Sequence, residues 1–563
     1  MRDRFDIAAE LRQIARLLTI KGENPFKVQA YGRGASALEN LEGDFDALVK
    51  AGRLKEITGI GSALAAIINE IYRTGECWML QQLRQELPPG TVELSQVPGL
   101  SLKKIIALHD ALQIENVAAL KTACQEGLVS NVKGFGAKSQ TKLLTDIEKL
   151  GSPKDGSLLL HHALEAAQRI LQHLRSSPEL IEAEIAGALR RCQETVGRIC
   201  IVAASDQPRA VLDQFLRFAA LARSDELDDT RCLARLAGGL QVELVIVQRN
   251  DYVAMLHVRT GSQKHIARLE DLARSKAISV FPNVPSPNGG QAGIKSEGEI
   301  YQRLGLQYIP PELREDEGEI EAASAGILPR TIMLEDIRGM THCHTAYSDG
   351  RNSIEEMALA AEAMDMAYLT ITDHSPNAYY AHGVDIDRLR AQWDEIARVQ
   401  ERVKIKLLKG TESDILQDGS LDYPDHLLEQ FDVIIASIHA RHKMDSDQMT
   451  QRLFFKIWGH PLGRLIQSRP PFACRMEDVL DAIAVSKCAI EVNGEPQRLD
   501  LEPRWIRPAR ERGIKFIVST DAHSIGGLAN LPYGVATARR GWLTRGEVLN
   551  TLDAENFARA VHP

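Results

Sequence analysis

In the C-terminal part of the chain, short apolar runs end again and again in a histidine or a carboxylate. Ile371 leads to His374, Leu407-Leu408 to Glu412, and Val433-Ile434-Ile435 to His439. Phe454-Phe455 leads, through Ile457-Trp458, to His460; Ala489-Ile490 leads to Glu491 and Asn493; Phe516-Ile517-Val518 leads to Asp521 and His523. Ahead of these stand His342 and His344, with Asp349 after them. Imidazoles and carboxylates in this pattern, with no thiolate in step with them, suit Zn²⁺, Mn²⁺ or Fe²⁺. A carboxylate such as Glu412 has two oxygens and can bridge two ions. Cations held in this way can activate bound water as a nucleophile and neutralise developing negative charge. No side-chain base is then required, and none is assigned.

The same pattern predicts the elements that must gather these groups. Apolar runs of roughly four to eight residues read as strands buried on both faces. Helical periodicity separates them, which gives a repeated strand–helix unit. In sheets and barrels of that kind, groups at the carboxyl ends of the strands converge on one face. Cys343 alternates to the opposite face from His342 and His344 and reads as core. Ten of the sixteen histidines follow residue 330, in the same segment as the repeats. His382, His426 and His562 lie outside the pattern and read as surface, and His442 is left without a role. Arg441 and Arg464 are candidates for phosphate contacts, because a planar fork of donors matches phosphate geometry.

The 563 residues suffice for about three or four domains at roughly 100–200 residues each. No apolar run approaches the length of a membrane span. The N-terminus is charged and opens into a helical pattern, which is not that of a signal peptide. Eight cysteines without paired spacing suit a reducing cytoplasm. With a net charge of −9, any DNA binding must come from local positive surfaces rather than from the whole-molecule field.

Residues 1–150 read as short helices separated by glycine turns, three of which repeat: Gly59-Ile60-Gly61, Pro98-Gly99-Leu100-Ser101 and Gly134-Phe135-Gly136. A helix follows each. Such a turn presents backbone N–H groups at the positive end of a helix, where a phosphate can sit without any side chain. Binding of that kind is blind to sequence and salt-dependent. Residues 151–156 read as a linker. Residues 157–320 mix a helix over 160–174 with strands over 198–203 and 240–247, and a further unit begins near Thr331.

The stretches Leu17–Val28 and Tyr31–Asn40 resemble the opening of bacterial family X DNA polymerases, and the three glycine turns resemble that family's helix-hairpin-helix motifs. The resemblance runs along essentially the whole chain and ends in a PHP (polymerase and histidinol phosphatase) domain. It implies an all-α helix-hairpin-helix region (1–150), an α+β nucleotidyltransferase-like palm and thumb (157–320), and a distorted, TIM-like α/β PHP barrel (331–563). It implies nine ligands for up to three divalent ions: His342, His344, Asp349, His374, Glu412, His439, His460, Asp521 and His523. Where the family has an acidic residue just before the histidine pair, this chain has Met340. DNA is the implied partner, met at ends or gaps through Gly59, Gly61, Gly99, Gly134, Gly136, Arg190 and Arg191. Eukaryotic relatives form Schiff bases with lysines after the first hairpin; Ala63 and Ile67 stand there in this chain and cannot.

The palm signature of the family is matched by Ala186–Cys200, with departures at its chemistry. Ala188 replaces a phosphate-holding serine. Arg198 and Cys200 replace two aspartates, and Glu243 stands for the third. Two Mg²⁺ ions need hard carboxylate oxygens there, which a guanidinium and a thiol do not supply. The expected activity is a metal-dependent DNA phosphodiesterase that trims 3′ ends in repair, with polymerisation absent or vestigial. Three other readings stay open: a phosphatase of small esters, a non-catalytic scaffold for DNA ends, and a polymerase that tolerates these substitutions.

Overall fold

The computed structural model describes residues 4–562 apart from 22, 40, 42–44, 76, 88–90, 95–96, 98–99, 150–156, 237–238, 279, 282–293, 440–456 and 487. The expected linker, Gly99, Phe454-Phe455, Arg441 and His442 lie outside the described residues. The chain divides into two compact units, Met1–Gly156 with Leu236–Gly239, and Ser157–Arg235 with Leu240–Pro563.

The first unit is helical. One apolar core gathers Ile7, Leu11, Ile14, Leu64, Ile68 and Ile71; a second gathers Leu94, Ile105, Leu108, Leu120 and Val129. Each core carries a glycine turn of the same build. A 3₁₀ turn (Leu54–Glu56, or Val129–Asn131) precedes a glycine at positive φ, Gly59 at +93° or Gly134 at +95°, a backbone region that favours glycine. The next helix then starts, Ser62–Thr74 or Ala137–Lys149. Gly61 caps the first of these with no side-chain hydrogen bond, so its leading N–H groups have no side-chain cap. A Cβ on Gly61 or Gly136 would meet nothing within 4 Å, leaving the backbone open to approach.

Among the described residues the second unit holds a two-stranded ladder, Leu158–Leu159 with Thr195–Val196, and two larger sheets. The smaller has five strands in the spatial order Glu182–Ala186, Arg198–Ala204, Gln241–Val247, Arg231–Leu236, Leu221–Leu227. Arg198–Ala204 and Gln241–Val247 run parallel, with Cys200 opposite Glu243. Helix Leu160–Leu174 covers the region with Ala163, Ala167, Ile170, Leu171 and Leu174 buried, the spacing of one helix face. Next to the sheet, helices Tyr252–Thr260, Gln263–Ser275 and Glu297–Leu304 share a core of Ala254, Leu269, Phe281 and Tyr301.

Arg190 and Arg191, expected to meet DNA, are paired within the protein in this structure. Arg190 forks onto Glu297 at 3.0 and 2.8 Å and reaches Thr260 Oγ1 at 2.9 Å. Arg191 holds Glu315 at 2.6 Å and the Thr260 carbonyl at 2.7 Å. Both guanidinium groups are used to fasten the small sheet to its neighbouring helices.

The larger sheet has seven strands, Gly339–Met340, Tyr368–Ile371, Lys406–Asp414, Val433–Ser437, Ile457–Trp458, Ala489–Asn493 and Lys515–Ser519, neighbours in space in that same order and all parallel. A parallel bridge between Cys343 and Ala522 joins the first to the last and nearly closes a barrel. Alternation along each strand sorts the side chains. Leu369, Ile371, Leu407, Ala436, Trp458, Ile490 and Val518 pack in the large core that also takes helix residues such as Met357, Ile396, Val479 and Ile506. Tyr368, Leu408, Ile435, Ile457, Ala489 and Ile517 point the other way and pack on Phe557 and Val561 of the last helix, which plugs the barrel.

Arg464 also departs from expectation. It is buried (5% exposed), bonds Glu194 twice at 3.0 and 2.7 Å, lies 3.1 Å from Glu502, and donates to the carbonyls of Arg498 and Leu499. Burial alone would lower its pKa, but Glu194 and its neighbours outweigh that and hold the charge. The side chain therefore locks the loop after His460 to the turn at Glu194 and has no face left for a phosphate. Removing one partner of a buried pair is strongly destabilising. Arg464→Ala should lower unfolding stability by about 3 kcal/mol, read by denaturant titration with circular dichroism. Unchanged stability with a raised KM for DNA would instead restore the phosphate role.

Candidate metal centre

Each strand of the barrel delivers a polar group at its carboxyl end. His342 and His344 follow Met340, His374 follows Ile371, and Glu412 ends the run from Leu407. His439 follows Ser437, His460 follows Trp458, and Asp521 and His523 follow Ser519. Asp349 returns from the loop after His344. The return needs Gly350, where a Cβ would lie 2.5 Å from the His344 carbonyl carbon. Two of the donors sit on unusual backbone, His460 at φ +24° and Asp521 at φ +50°. Strain of this kind clusters at functional sites.

All nine expected residues come together, with Glu412 at their middle. Its Oε2 lies 2.9 Å from His374 Nδ1 and 3.5 Å from Nε2 of both His342 and His344. Its Oε1 lies 2.8 Å from His460 Nε2 and 3.2 Å from His439 Nε2. Asp521 Oδ1 stands 3.2 Å from His344 Nε2, and Asp349 Oδ1 stands 3.3 Å from His523 Nε2. Three overlapping sets have donor atoms within 4.8 Å of one another: His344, Asp349, His374 and His523; His342, His344 and Asp521; His374, Glu412 and His439. His460 joins through Glu412 and through His439, 3.2 Å away.

The donor set fits divalent ions. Buried polar atoms ordinarily find hydrogen bonds. Yet His342 Nε2, both ring nitrogens of His344, His374 Nδ1 and Glu412 Oε2 are buried here without one of good geometry. Burial opposes charge on His439 and His523, but Glu412 and Asp414 raise the first to about 10, and Asp349 and Asp521 raise the second to about 9. His342 is raised too, against burial, by Glu491, Asp521 and Glu412. Burial and the neighbouring His523 and His374 lower His344 to about 3. Burial would raise Asp349, but His523 and the other imidazoles bring it down to about 2.

A second layer orients the first, and sequence reading passed over it. Glu491 accepts from His342 Nδ1 at 2.6 Å and also takes Ser519 Oγ at 2.5 Å and the His460 N–H. Asp414 does the same for His439 Nδ1 at 2.8 Å. Each carboxylate fixes the tautomer that turns Nε2 inward. The signal was available, since Glu491 ends an apolar run and Asp414 lies two residues, hence one strand face, from Glu412. Arg498 had no such signal. It comes from a loop to lie 3.4 Å from Asp521 Oδ2, and it is the guanidinium that the described residues bring to the cluster. Cys343 is core, and His382, His426 and His562 are exposed, as the sequence predicts.

At the small sheet the charge is reversed. Glu243 is buried, with Arg231 Nε at 2.9 Å, Arg198 at 3.1 Å and Arg259 at 3.3 Å. Burial would raise its pKa, but the three guanidinium groups hold it low. Burial pushes the Cys200 thiol beside it up to about 12.

Comparisons with known proteins follow the same division. Residues 2–77 match the helix-hairpin-helix domain, residues 255–315 the DNA polymerase beta thumb, and residues 341–491 the PHP domain. Over 98% of this chain and 99% of its own length, the DNA polymerase/3′-5′ exonuclease PolX of Bacillus subtilis is 34% identical. A probable phosphatase of Thermoanaerobacter sp. is 27% identical over 38% of this chain and 89% of its own length. One from Acetivibrio thermocellus is 27% identical over 32% of this chain and 78% of its own length.

Metal must displace the protons that His439, His523 and His342 carry below their raised pKa values. Binding of Mn²⁺ should therefore release protons at pH 7, and apparent affinity should rise from pH 6 to pH 8. Calorimetry in buffers of different ionisation enthalpy checks this; heats independent of buffer would contradict it.

Proposed function

The chain belongs to the PolX-type family X DNA polymerases, and we propose that its working chemistry is hydrolysis of DNA phosphodiesters from the 3′ end, carried out in the barrel. The observation that carries this reading is the gathering of nine donors with Glu412 at their middle, set against three arginines around Glu243 of the palm. The Bacillus subtilis relative, a DNA polymerase/3′-5′ exonuclease, supplies the reaction class, and its similarity covers 98% of the chain.

Up to three divalent ions (Zn²⁺, Mn²⁺ or Fe²⁺) held there would lower the pKa of water and neutralise charge on the phosphoryl oxygens. The nine residues hold the site, Glu412 from its centre. Glu491 and Asp414 keep His342 and His439 turned inward. Arg498 stands where it can take a non-bridging oxygen of the scissile phosphate through its fork. DNA backbone is held without regard to sequence, in part by the open helix starts at Gly59-Gly61 and Gly134-Gly136. The activity belongs to end processing in DNA repair, in the cytoplasm.

Nucleotidyl transfer is absent in this reading. A guanidinium 3.1 Å from Glu243 puts fixed positive charge where a cation would have to enter. The phosphatases matched by the barrel share the hydrolytic site, but a small ester gives no work to the helical unit.

His374→Ala should cut release of mononucleotides from a 3′-labelled strand with Mn²⁺ by roughly 10²–10³-fold, with DNA affinity nearly unchanged. A parallel loss of affinity would sink the proposed division of labour. Primer extension with Mg²⁺ or Mn²⁺ should yield no template-directed product, and robust incorporation would refute the loss of transfer.

A further inference from the structure

Two tyrosines stand at the mouth of the metal centre and donate nothing to it. The Tyr380 ring centroid lies 6.3 Å from that of His374 and 6.1 Å from that of His439. Tyr379 crosses Tyr380 edge-on at 6.2 Å and 78°. Their exposures are 84% for Tyr379 and 58% for Tyr380. A ring as exposed as Tyr379 adds little to the core, so packing does not account for it.

The turn that carries them is firmly built. Ala378 N–H donates to the Ser375 carbonyl at 3.1 Å, and Gly383 N–H donates to that of Ala378 at 3.1 Å. Asn377 N–H bonds Asp422 at 2.6 Å, and its side-chain amide bonds Asp414 at 3.3 Å, the carboxylate that orients His439. A Cβ on Gly383 would run into the Ser375 carbonyl, so the turn closes tightly on the strand end that bears His374. The backbone that carries the rings is thus held against the strand end that bears His374.

We propose that Tyr379 and Tyr380 form a nucleobase subsite, on which the terminal base of the scissile strand stacks while its phosphate lies at the donors around Glu412. This rests on the reading of the barrel as a DNA 3′–5′ exonuclease and deepens it by naming what the site recognises. A nucleotide carries its base a sugar's length from its phosphate; the Tyr380 ring lies 6.1 Å from the His439 ring and 6.3 Å from the His374 ring, and the more exposed Tyr379 stands beside it. Aromatic rings accept any base because every base has a π-face, which agrees with end trimming that ignores sequence.

The test uses the full chain with Mn²⁺ and two 3′-labelled single strands, identical except that one ends in thymidine and the other in an abasic tetrahydrofuran residue. The wild type should favour the thymidine end through KM by about 10-fold. Tyr379→Ala should bring that ratio close to one, and Tyr379→Phe, which keeps the ring, should retain it. A ratio unchanged in Tyr379→Ala, or no preference in the wild type, overturns the subsite while leaving the exonuclease standing. Failure of the wild type to release nucleotides from either strand overturns the exonuclease reading and the subsite with it.

Discussion

One buried carboxylate surrounded by imidazoles sets the terms for the barrel. Glu412 lies in the barrel's interior within 3.5 Å of five histidines. A group of that charge in a dry interior is costly unless it is paired and fully coordinated. Everything near it serves that need. Strand alternation aims the histidines, Glu491 and Asp414 fix two rings, and His460 takes strained backbone to reach it. The apolar plug of Phe557 and Val561 seals the opposite end, so the charged cluster meets solvent from one side only.

The small sheet meets the same kind of requirement with the opposite sign. Glu243 is as deeply buried as Glu412, but guanidinium groups from three separate elements neutralise it. Register places Cys200 across from it and Arg198 two residues back on the same face. The scaffold that would gather carboxylates around two cations is thus intact as a sheet, and only the charges on it have changed. A fold can keep its strand order while losing its chemistry, because order rests on the apolar alternation and chemistry on a few side chains.

What could be read from the sequence follows from range. The barrel strands were legible because each is a local apolar run; the nine central donors were named through the family resemblance, and all but Asp349 stand in or just after such a strand. The helix Leu160–Leu174 and the strand at Arg198 were legible for the same reason. Arginine roles were not. Arg190, Arg191 and Arg464 look free in sequence because their partners Glu297, Glu315 and Glu194 stand far along the chain. A guanidinium signals only that it will find an oxygen, and the fold decides whether that oxygen is a phosphate or a carboxylate. Arg231 and Arg259 were missed at Glu243 for the same reason, as was Arg498 at Asp521.

That the palm turn is built to full order has a structural reason within the second unit. Glu194 belongs to the palm signature, and it fastens Arg464, four residues beyond His460. Arg540 reaches Gln193 beside it at 3.0 Å, and Arg539 pairs with Glu312 at 2.8 Å. The loop that must hold His460 at positive φ over Glu412 is thereby braced from outside the barrel. Strained donors persist only where their surroundings over-determine them. The palm turn is part of those surroundings, so the geometry of the barrel's donors depends on a domain outside the barrel.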